Sequence, residues 1–187
     1  MKKISLVLGL FFIAISCKSG ASAGATASTE VQQPTPEVID GNLVGQMSKS
    51  DLTQASYSEW FDPGAASYRV NDELVKPLKK GLKGVDITIF MGTWCGDSKR
   101  ETPRLYAILD ALDYDLSNVN LIGVTRSKTT PDNLEEGLNI KRVPTIICYK
   151  NGEELGRIVE YPVESLEEDM LKILNGEEYK HAYADAF

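Results

Sequence analysis

The fold is decided by residues 85–98, which read Val-Asp-Ile-Thr-Ile-Phe-Met-Gly-Thr-Trp-Cys-Gly-Asp-Ser. The β-branched and aromatic residues of the first half predict a buried strand over Val85–Met91. The apolar stripe that follows predicts a helix over Cys95–Asp113. Cys95 then lies at a helix N-terminus, where unpaired N–H groups and the helix dipole favour a thiolate. Because the thiolate is the reactive form of cysteine, this position predicts a nucleophilic site.

The neighbours of Cys95 bear on its reactivity. The ring of Trp94 can shield the sulfur on one side, and Gly96 follows directly. Ser98 is one helical turn further on, where we expect its hydroxyl to donate a hydrogen bond to the sulfur. Asp97 acts in the opposite direction, since a nearby negative charge disfavours a thiolate.

The rest of the chain alternates strands and helices. Strands are predicted over Val119–Thr125, Thr145–Tyr149 and Glu154–Glu160, with Asn151-Gly152 as a hairpin turn. A first helix is predicted over Leu52–Phe61, ending at Pro63-Gly64, and a second from Asn71 to about Lys83, with a kink at Pro77. A third helix is predicted to start at Thr130-Pro131-Asp132, and a fourth covers Ser165–Leu174. This order predicts an α/β fold with a mixed central sheet and helices on both faces.

Several motifs together resemble the thioredoxin family. They are Trp94-Cys95-Gly96, the helix proline Pro103, Val143-Pro144-Thr145, the turn Lys150-Asn151-Gly152-Glu153 and the final helix, in the order of the family. The resemblance covers about residues 85–174 and implies the three-layer thioredoxin-like fold. It also implies a cis peptide at Val143-Pro144 beside the sulfur, with the Val143 backbone pairing with an extended substrate segment.

Two positions depart from the family. Ser98 stands where the family has its second cysteine, and Ile89 stands where it has a buried acid. A second thiol normally resolves the mixed disulfide, which a serine hydroxyl cannot do. We therefore expect a monothiol site that is not an efficient disulfide reductase on its own.

Other candidate residues have simpler interpretations. Cys148 lies about 13 Å along a strand from Pro144, too far for a disulfide with Cys95, and is expected to be buried core. His181 is expected to be a solvated side chain in a polar tail. Four basic residues flank loops that, by resemblance, border the site, where they could attract an anionic substrate or glutathione; an ordinary solvated rim is the preferred interpretation. They are Arg126, Lys128, Lys141 and Arg142.

The composition excludes several classes of protein. With 187 residues, 42% hydrophobic and 25% charged, the chain fits one globular domain with appendages. Twenty basic against 27 acidic residues argue against nucleic-acid binding. Three cysteines and one histidine argue against a disulfide-dense scaffold and a multi-ligand zinc site. No cofactor is expected, and glutathione or another thiol could act as co-substrate.

The N-terminus resembles a bacterial lipoprotein signal. Met1-Lys2-Lys3 is basic, the following apolar run is too short to span a bilayer, and Cys17 follows it as the expected site of lipidation. An ordinary secretory signal is the alternative. Lys18 favours the outer membrane by the usual sorting rule. The expected organisation is a signal peptide (1–16), a flexible tether (17–45), a helical extension (46–84), a thioredoxin-like domain (85–175) and a tail (176–187).

Three functions stay open at this point. The first is thiol-disulfide exchange in the cell envelope through mixed disulfides on Cys95. Its partners would be protein thiols or disulfides, and the protein itself is expected to be monomeric and anchored to the membrane. The second is a binding module for an extended polypeptide. The third, weaker, is a glutaredoxin-like Cys-Gly-x-Ser site that holds an iron–sulfur cluster with glutathione.

Overall fold

A computed structural model describes residues 35–186 of the chain, which belong to one compact unit. Its strands are β1 Glu37–Ile39, β2 Asn42–Met47, β3 Val85–Met91, β4 Val119–Gly123, β5 Thr145–Lys150 and β6 Glu153–Val159. Its helices are α1 Lys49–Leu52, α2 Ala55–Ser67, α3 Asp72–Gly81, α4 Gly96–Ala111 and α5 Leu166–Asn175, with short 3-10 turns at Leu116–Asn118 and Ala184–Ala186.

The six strands form one mixed sheet in the spatial order β1-β2-β4-β3-β5-β6. Strand β3 is central and pairs in parallel with β4 and antiparallel with β5. The remaining pairs are antiparallel. The predicted α/β fold with a mixed sheet is confirmed. The segment with Cys95 follows the C-terminal end of β3, a strand with neighbours on both sides.

Side chains of β3 alternate between two apolar clusters, one on each face of the sheet. Ile87 and Ile89 belong to the larger cluster, to which α2, α3, α4 and α5 all contribute. Phe90 belongs to the smaller cluster, together with Ile140 from the segment that joins β4 to β5. Helices therefore cover one face, and this connecting segment covers the other.

The predicted helix starts at Asn71 and Ser165 and the predicted hairpin turn are confirmed. The Asn71 side chain caps α3 by accepting from Glu73 N–H at 3.1 Å. Ser165 caps α5 by accepting from the N–H of residue 168 at 3.1 Å, and Gly176 ends that helix with a φ of +68°. Both residues of the turn between β5 and β6, Asn151 and Gly152, have the positive φ that a tight hairpin requires.

Helix α2 does not end at Pro63-Gly64, so that prediction is wrong. The helix continues to Ser67 with Pro63 inside it. Phe61 is buried in the core, and a Cβ added at Gly64 would lie 2.8 Å from Pro103 Cγ of α4. Close packing against α4 therefore stabilises the helix beyond its proline.

The prediction of a helix that starts at Thr130-Pro131-Asp132 is also wrong, because residues 131–137 form successive turns. Asn133 has a φ of +53° and Gly137 a φ of +76°, which interrupt any helix. The Glu135 carboxylate accepts from both the hydroxyl and the N–H of Thr130, at 2.7 and 3.0 Å. These bonds close the segment into a turn, so the helix expected on the second face of the sheet, where the sequence predicts helices on both faces, is absent from this part of the described chain.

The predicted tether and helical extension differ from the structure over residues 37–47, which form the β1–β2 hairpin. Strand β2 pairs with β4 and buries Leu43, Val44 and Met47. A Cβ added at Gly123 would lie 2.3 Å from the Leu43 carbonyl oxygen, so this pairing needs a glycine. The hairpin is therefore part of the same sheet as the site.

The predicted signal peptide, Cys17 and most of the predicted tether lie outside the described residues. Within residues 35–186, none of the helices is both long and apolar enough to cross a membrane.

Candidate active site

Cys95 is the N-cap residue of α4, directly after the loop that leaves β3. Its side chain is partly exposed, and its backbone N–H donates to Gly92 O at 2.9 Å. This position at the start of a long helix is the one that the sequence predicts. The sulfur therefore combines access to solvent with the positive end of the α4 dipole.

A second segment meets the sulfur at the Val143-Pro144 peptide. This bond is cis, as the family resemblance implies. The Cys95 thiol donates to the carbonyl oxygen of Val143 at 3.2 Å. Two segments about 50 residues apart in the sequence, at the ends of the neighbouring strands β3 and β5, thus converge on one sulfur.

Trp94 is fixed against the loop that follows β4. Its Nε1–H donates to the Val124 carbonyl oxygen at 2.9 Å. A Cβ added at Gly92 would lie 2.5 Å from the indole ring, so a glycine is needed there for the ring to pack. The Arg126 guanidinium lies 5.1 Å and the Lys128 amine 5.8 Å from the ring centroid.

Ser98 is fully buried, and its hydroxyl oxygen accepts from the Gly92 N–H at 3.2 Å. Within the described structure, the expected hydrogen bond from the Ser98 hydroxyl to the Cys95 sulfur is not formed. Ser98 therefore fixes the loop before the cysteine rather than contacting the sulfur. Asp97 pairs with Arg100 at 2.7 Å, which partly offsets the negative charge that was expected to oppose the thiolate.

Ile89 and Cys148 are both core residues. Ile89 is fully buried in the larger apolar cluster. Burial raises the pKa of the Cys148 thiol to about 12, and the Glu154 carboxylate adds to this rise. The prediction that Cys148 is a buried core residue is confirmed, and neither it nor Cys95 is in a disulfide.

An open cavity of about 390 Å³ lies beside the Cys95 sulfur. It is lined by Trp94, Cys95, Lys128, Lys141, Arg142, Val143, Glu160 and Ala186. Three of the four flanking basic residues therefore reach the cavity, and the fourth, Arg126, lies on the neighbouring Trp94 ring.

The C-terminal tail also contributes to this cavity, which the sequence does not indicate. Ala186 lines it, and the Arg142 guanidinium lies 4.0 Å from the centroid of the Tyr183 ring. His181 is partly buried rather than solvated as expected, and this burial, with the charge of Arg157, lowers its pKa.

Residues 35–186 contain no group of three or more His, Cys, Asp or Glu side chains that could hold a metal ion.

Comparison with known proteins gives a consistent result, although no protein-family model matches the chain. Thioredoxin from Chlamydia caviae is 33% identical over 76 residues, which cover 41% of this chain and 69% of that protein. Thioredoxin from Staphylococcus epidermidis is 32% identical over 99 residues, which cover 52% of this chain and 86% of that protein. Protein disulfide-isomerase A5 from Mus musculus is 26% identical over 101 residues, and the chain spans only 19% of its length.

Among solved structures, a protein of unknown function from Pseudomonas aeruginosa has a TM-score of 0.50 and 17% identity. The likeness covers 66% of this chain and 86% of that one, and it concerns the fold alone. The two thioredoxins are each covered over more than two thirds of their length at above 30% identity. This chain therefore belongs to the thioredoxin family.

Proposed function

We propose that this protein carries out thiol-disulfide exchange with Cys95 as its single nucleophile. The observation that carries the proposal is the position of the Cys95 thiol. It is partly exposed at the N-terminus of α4, 3.2 Å from the Val143 carbonyl and beside an open cavity. The thioredoxins and the disulfide-isomerase among its relatives support the same class of chemistry.

The reaction needs two exchanges. The Cys95 thiolate attacks one sulfur of a partner disulfide, a new disulfide joins Cys95 to the partner, and the partner's other sulfur leaves as a thiolate with the electron pair. A second thiolate then attacks this mixed disulfide and releases Cys95. When the second thiolate belongs to the partner, the result is disulfide isomerisation without net oxidation. When it comes from a small thiol such as glutathione, Cys95 leaves as the thiolate and the partner keeps one free thiol and one mixed disulfide with the small thiol. A second small thiolate then attacks that mixed disulfide, which completes the reduction of the partner and leaves the two small thiols joined in a disulfide.

The monothiol form of this chemistry is supported by Ser98 and Ile89. Ser98 occupies the position of a resolving thiol but is buried and bonded to the Gly92 N–H. Ile89 offers no proton-accepting group beneath the site, and Cys148 is buried with a raised pKa. Release of a mixed disulfide is therefore assigned to a thiol from outside the described chain.

We further propose that the protein acts in the cell envelope, anchored by lipid on Cys17 and oriented toward protein disulfides or thiols there. The support is the signal-like residues 1–16 and the Gly-, Ala- and Ser-rich stretch that follows Cys17. Growth with an alkyne-labelled fatty acid tests this. The native chain is expected to take up the label and sediment with membranes, and the Cys17→Ser variant is expected to do neither. If the native protein takes up no label and stays in the supernatant when membranes are sedimented, a lipid anchor is excluded.

Trapping partners in cells tests the central proposal. Acid quenching followed by thiol blocking is expected to preserve disulfide-linked complexes of the native chain that disappear in Cys95→Ala. Cys148→Ala is the matched control and is expected to retain them. If Cys95→Ala instead retains the same partners without a covalent bond, the protein is a binding module and the redox proposal is wrong.

A further inference from the structure

The surface around Cys95 is positively charged, although the whole chain is acidic. Acidic residues outnumber basic ones by 27 to 20 in the full sequence. Around the Cys95 cavity the balance is reversed, with three basic side chains and the single carboxylate of Glu160 in the lining. A fourth cation, Arg126, lies on the ring of Trp94. The average composition of the chain does not account for this concentration of charge.

Two carboxylates, one two residues after Cys95 and one in the cavity lining, are each paired with an arginine. Asp97 lies 2.7 Å from Arg100 on α4. Glu160 lies 3.1 Å from Arg142 at the cavity wall. The formal charge of the side chains that line the cavity is positive, because three cations stand against one carboxylate.

The position of two of these cations is fixed by the fold. Lys128 lies in a tight turn, in which its N–H donates to Thr125 O at 2.9 Å and Thr125 N–H donates to Thr129 O at 3.0 Å. Lys128 and Arg126 both lie within 6 Å of the Trp94 ring centroid. Lys128 also lines the cavity that Cys95 lines, so its charge is held in the space next to the reactive cysteine.

We propose that the cationic rim formed by Lys128, Lys141, Arg142 and Arg126 selects thiol and disulfide partners that carry carboxylates next to the reacting sulfur. The inference rests on the proposed function and specifies its substrate class. A positive field in a cleft speeds the encounter with anions and slows that with cations, and salt weakens both effects. Two sources share the chemistry: an acidic segment of a protein, and a small peptide thiol with free carboxylates such as glutathione.

The test uses the full chain and peptides activated as 2-pyridyl disulfides, because this leaving group is neutral. Cys95 attacks the peptide sulfur, the Cys95–peptide disulfide forms, and 2-thiopyridone leaves with the electron pair and takes up a proton. The activated peptide supplies the oxidising equivalent. Three peptides carry one cysteine flanked by aspartates, serines or lysines, and a fourth probe is the 2-pyridyl disulfide of glutathione. Absorbance gives the rate, and mass mapping confirms the adduct at Cys95.

The acidic peptide is expected to react about 10-fold or more faster than the basic one at low salt, with the serine peptide between them. The rates are expected to converge near 1 M salt, where screening is nearly complete. A faster reaction of the acidic peptide than of the glutathione probe would assign the rim to an acidic protein segment. The reverse order, with the same salt dependence, would assign it to a small carboxylate-bearing thiol.

A pair of double variants separates the rim from net charge. Lys128→Glu with Lys141→Glu is expected to abolish or reverse the preference. Lys83→Glu with Lys150→Glu makes the same change in net charge away from the rim, since Lys83 lines a different cavity and Lys150 ends β5 far from Pro144. This control is expected to keep the preference.

Equal rates for the three peptides, or equal loss in both double variants, would overturn the inference and leave the proposed function intact. Failure of even the serine peptide to modify Cys95 would instead overturn the proposed function.

Discussion

Two cysteines in the same domain show how surroundings decide the chemistry of one residue type. Cys95 is partly exposed at a helix N-terminus, whereas Cys148 is buried in the middle of β5. Burial raises the pKa of Cys148 to about 12. We therefore expect iodoacetamide to alkylate Cys95 in the native protein and to reach Cys148 only after unfolding.

The raised pKa of Cys148 also predicts a pH dependence of stability. An unfolded cysteine has a pKa of about 8.5, so the unfolded chain ionises first as the pH rises. The contribution of this thiol to stability is complete below about pH 8.5 and is lost as the pH approaches the folded value of about 12. Near pH 10 the loss reaches roughly 2 kcal/mol relative to neutral pH.

Urea unfolding of the native chain and of Cys148→Val at several alkaline pH values measures this effect. The difference in free energy of unfolding between the two is expected to shift with pH in favour of the valine variant. Parallel pH profiles would mean that Cys148 is not buried as described.

The residue scale also shows what could be predicted from sequence. The place of Cys95 follows from local rules, because a strand, a short loop and an apolar helical stripe are all visible in the sequence. The partner of Ser98 could not be predicted in this way. Its hydroxyl accepts from the Gly92 N–H because the loop folds back over the first turn of α4, which helical spacing does not reveal.

At the scale of elements, the β1–β2 hairpin is the largest departure from expectation. The sequence predicts a tether up to residue 45, since Gly, Ala, Ser, Thr and Pro dominate the stretch before it. Leu43 and Met47 are nevertheless buried, because β2 completes the sheet beside β4. Thr93, next to the active-site motif, accepts from Leu43 N–H at 3.2 Å and donates to Asn42 Oδ1 at 3.1 Å. The hairpin thus supports the loop that carries Cys95.

A pair of substitutions tests whether the hairpin is part of the folded core. Leu43→Ala removes a buried side chain of β2 and is expected to lower the free energy of unfolding by about 2–4 kcal/mol. Val38→Ala in β1 is the control, because Val38 is 68% exposed, and it is expected to cost less than about 0.5 kcal/mol. Urea denaturation measures both. Equally small effects would restore the predicted tether.

The other two errors, at Pro63 and at Thr130-Pro131-Asp132, each have a physical cause that proline and capping signals do not reveal. Proline is a local signal, whereas the packing of Phe61 and Gly64 against α4 is tertiary. In the second case the Thr130–Glu135 hydrogen bonds compete with helix formation. Motif spacing identified the site, but the packing of α2 on α4 and the Thr130–Glu135 hydrogen bonds determined these two elements.

At the scale of the whole molecule, the sheet gathers the site from distant parts of the chain. Cys95 follows β3, Lys128 follows β4, and Val143 precedes β5. The C-terminal tail adds Ala186 to the same cavity. The family motifs predicted the contribution of β3 and β5, since both carry recognisable signatures. The contribution of the tail, and the contacts of Arg126 with Trp94 and of Arg142 with Tyr183, depend on the three-dimensional arrangement.

The central claim is that Cys95 forms mixed disulfides that the chain cannot resolve by itself. The direct measurement is the intact mass of the reduced full chain over time after addition of a limiting amount of a neutral peptide 2-pyridyl disulfide. The native chain is expected to accumulate a stable Cys95–peptide adduct that disappears only when an external thiol is added. Ser98→Cys, which restores a second thiol one turn along α4, is expected to release the peptide and form an internal disulfide. Absence of an adduct at Cys95, or its spontaneous release by the native chain, would contradict the claim.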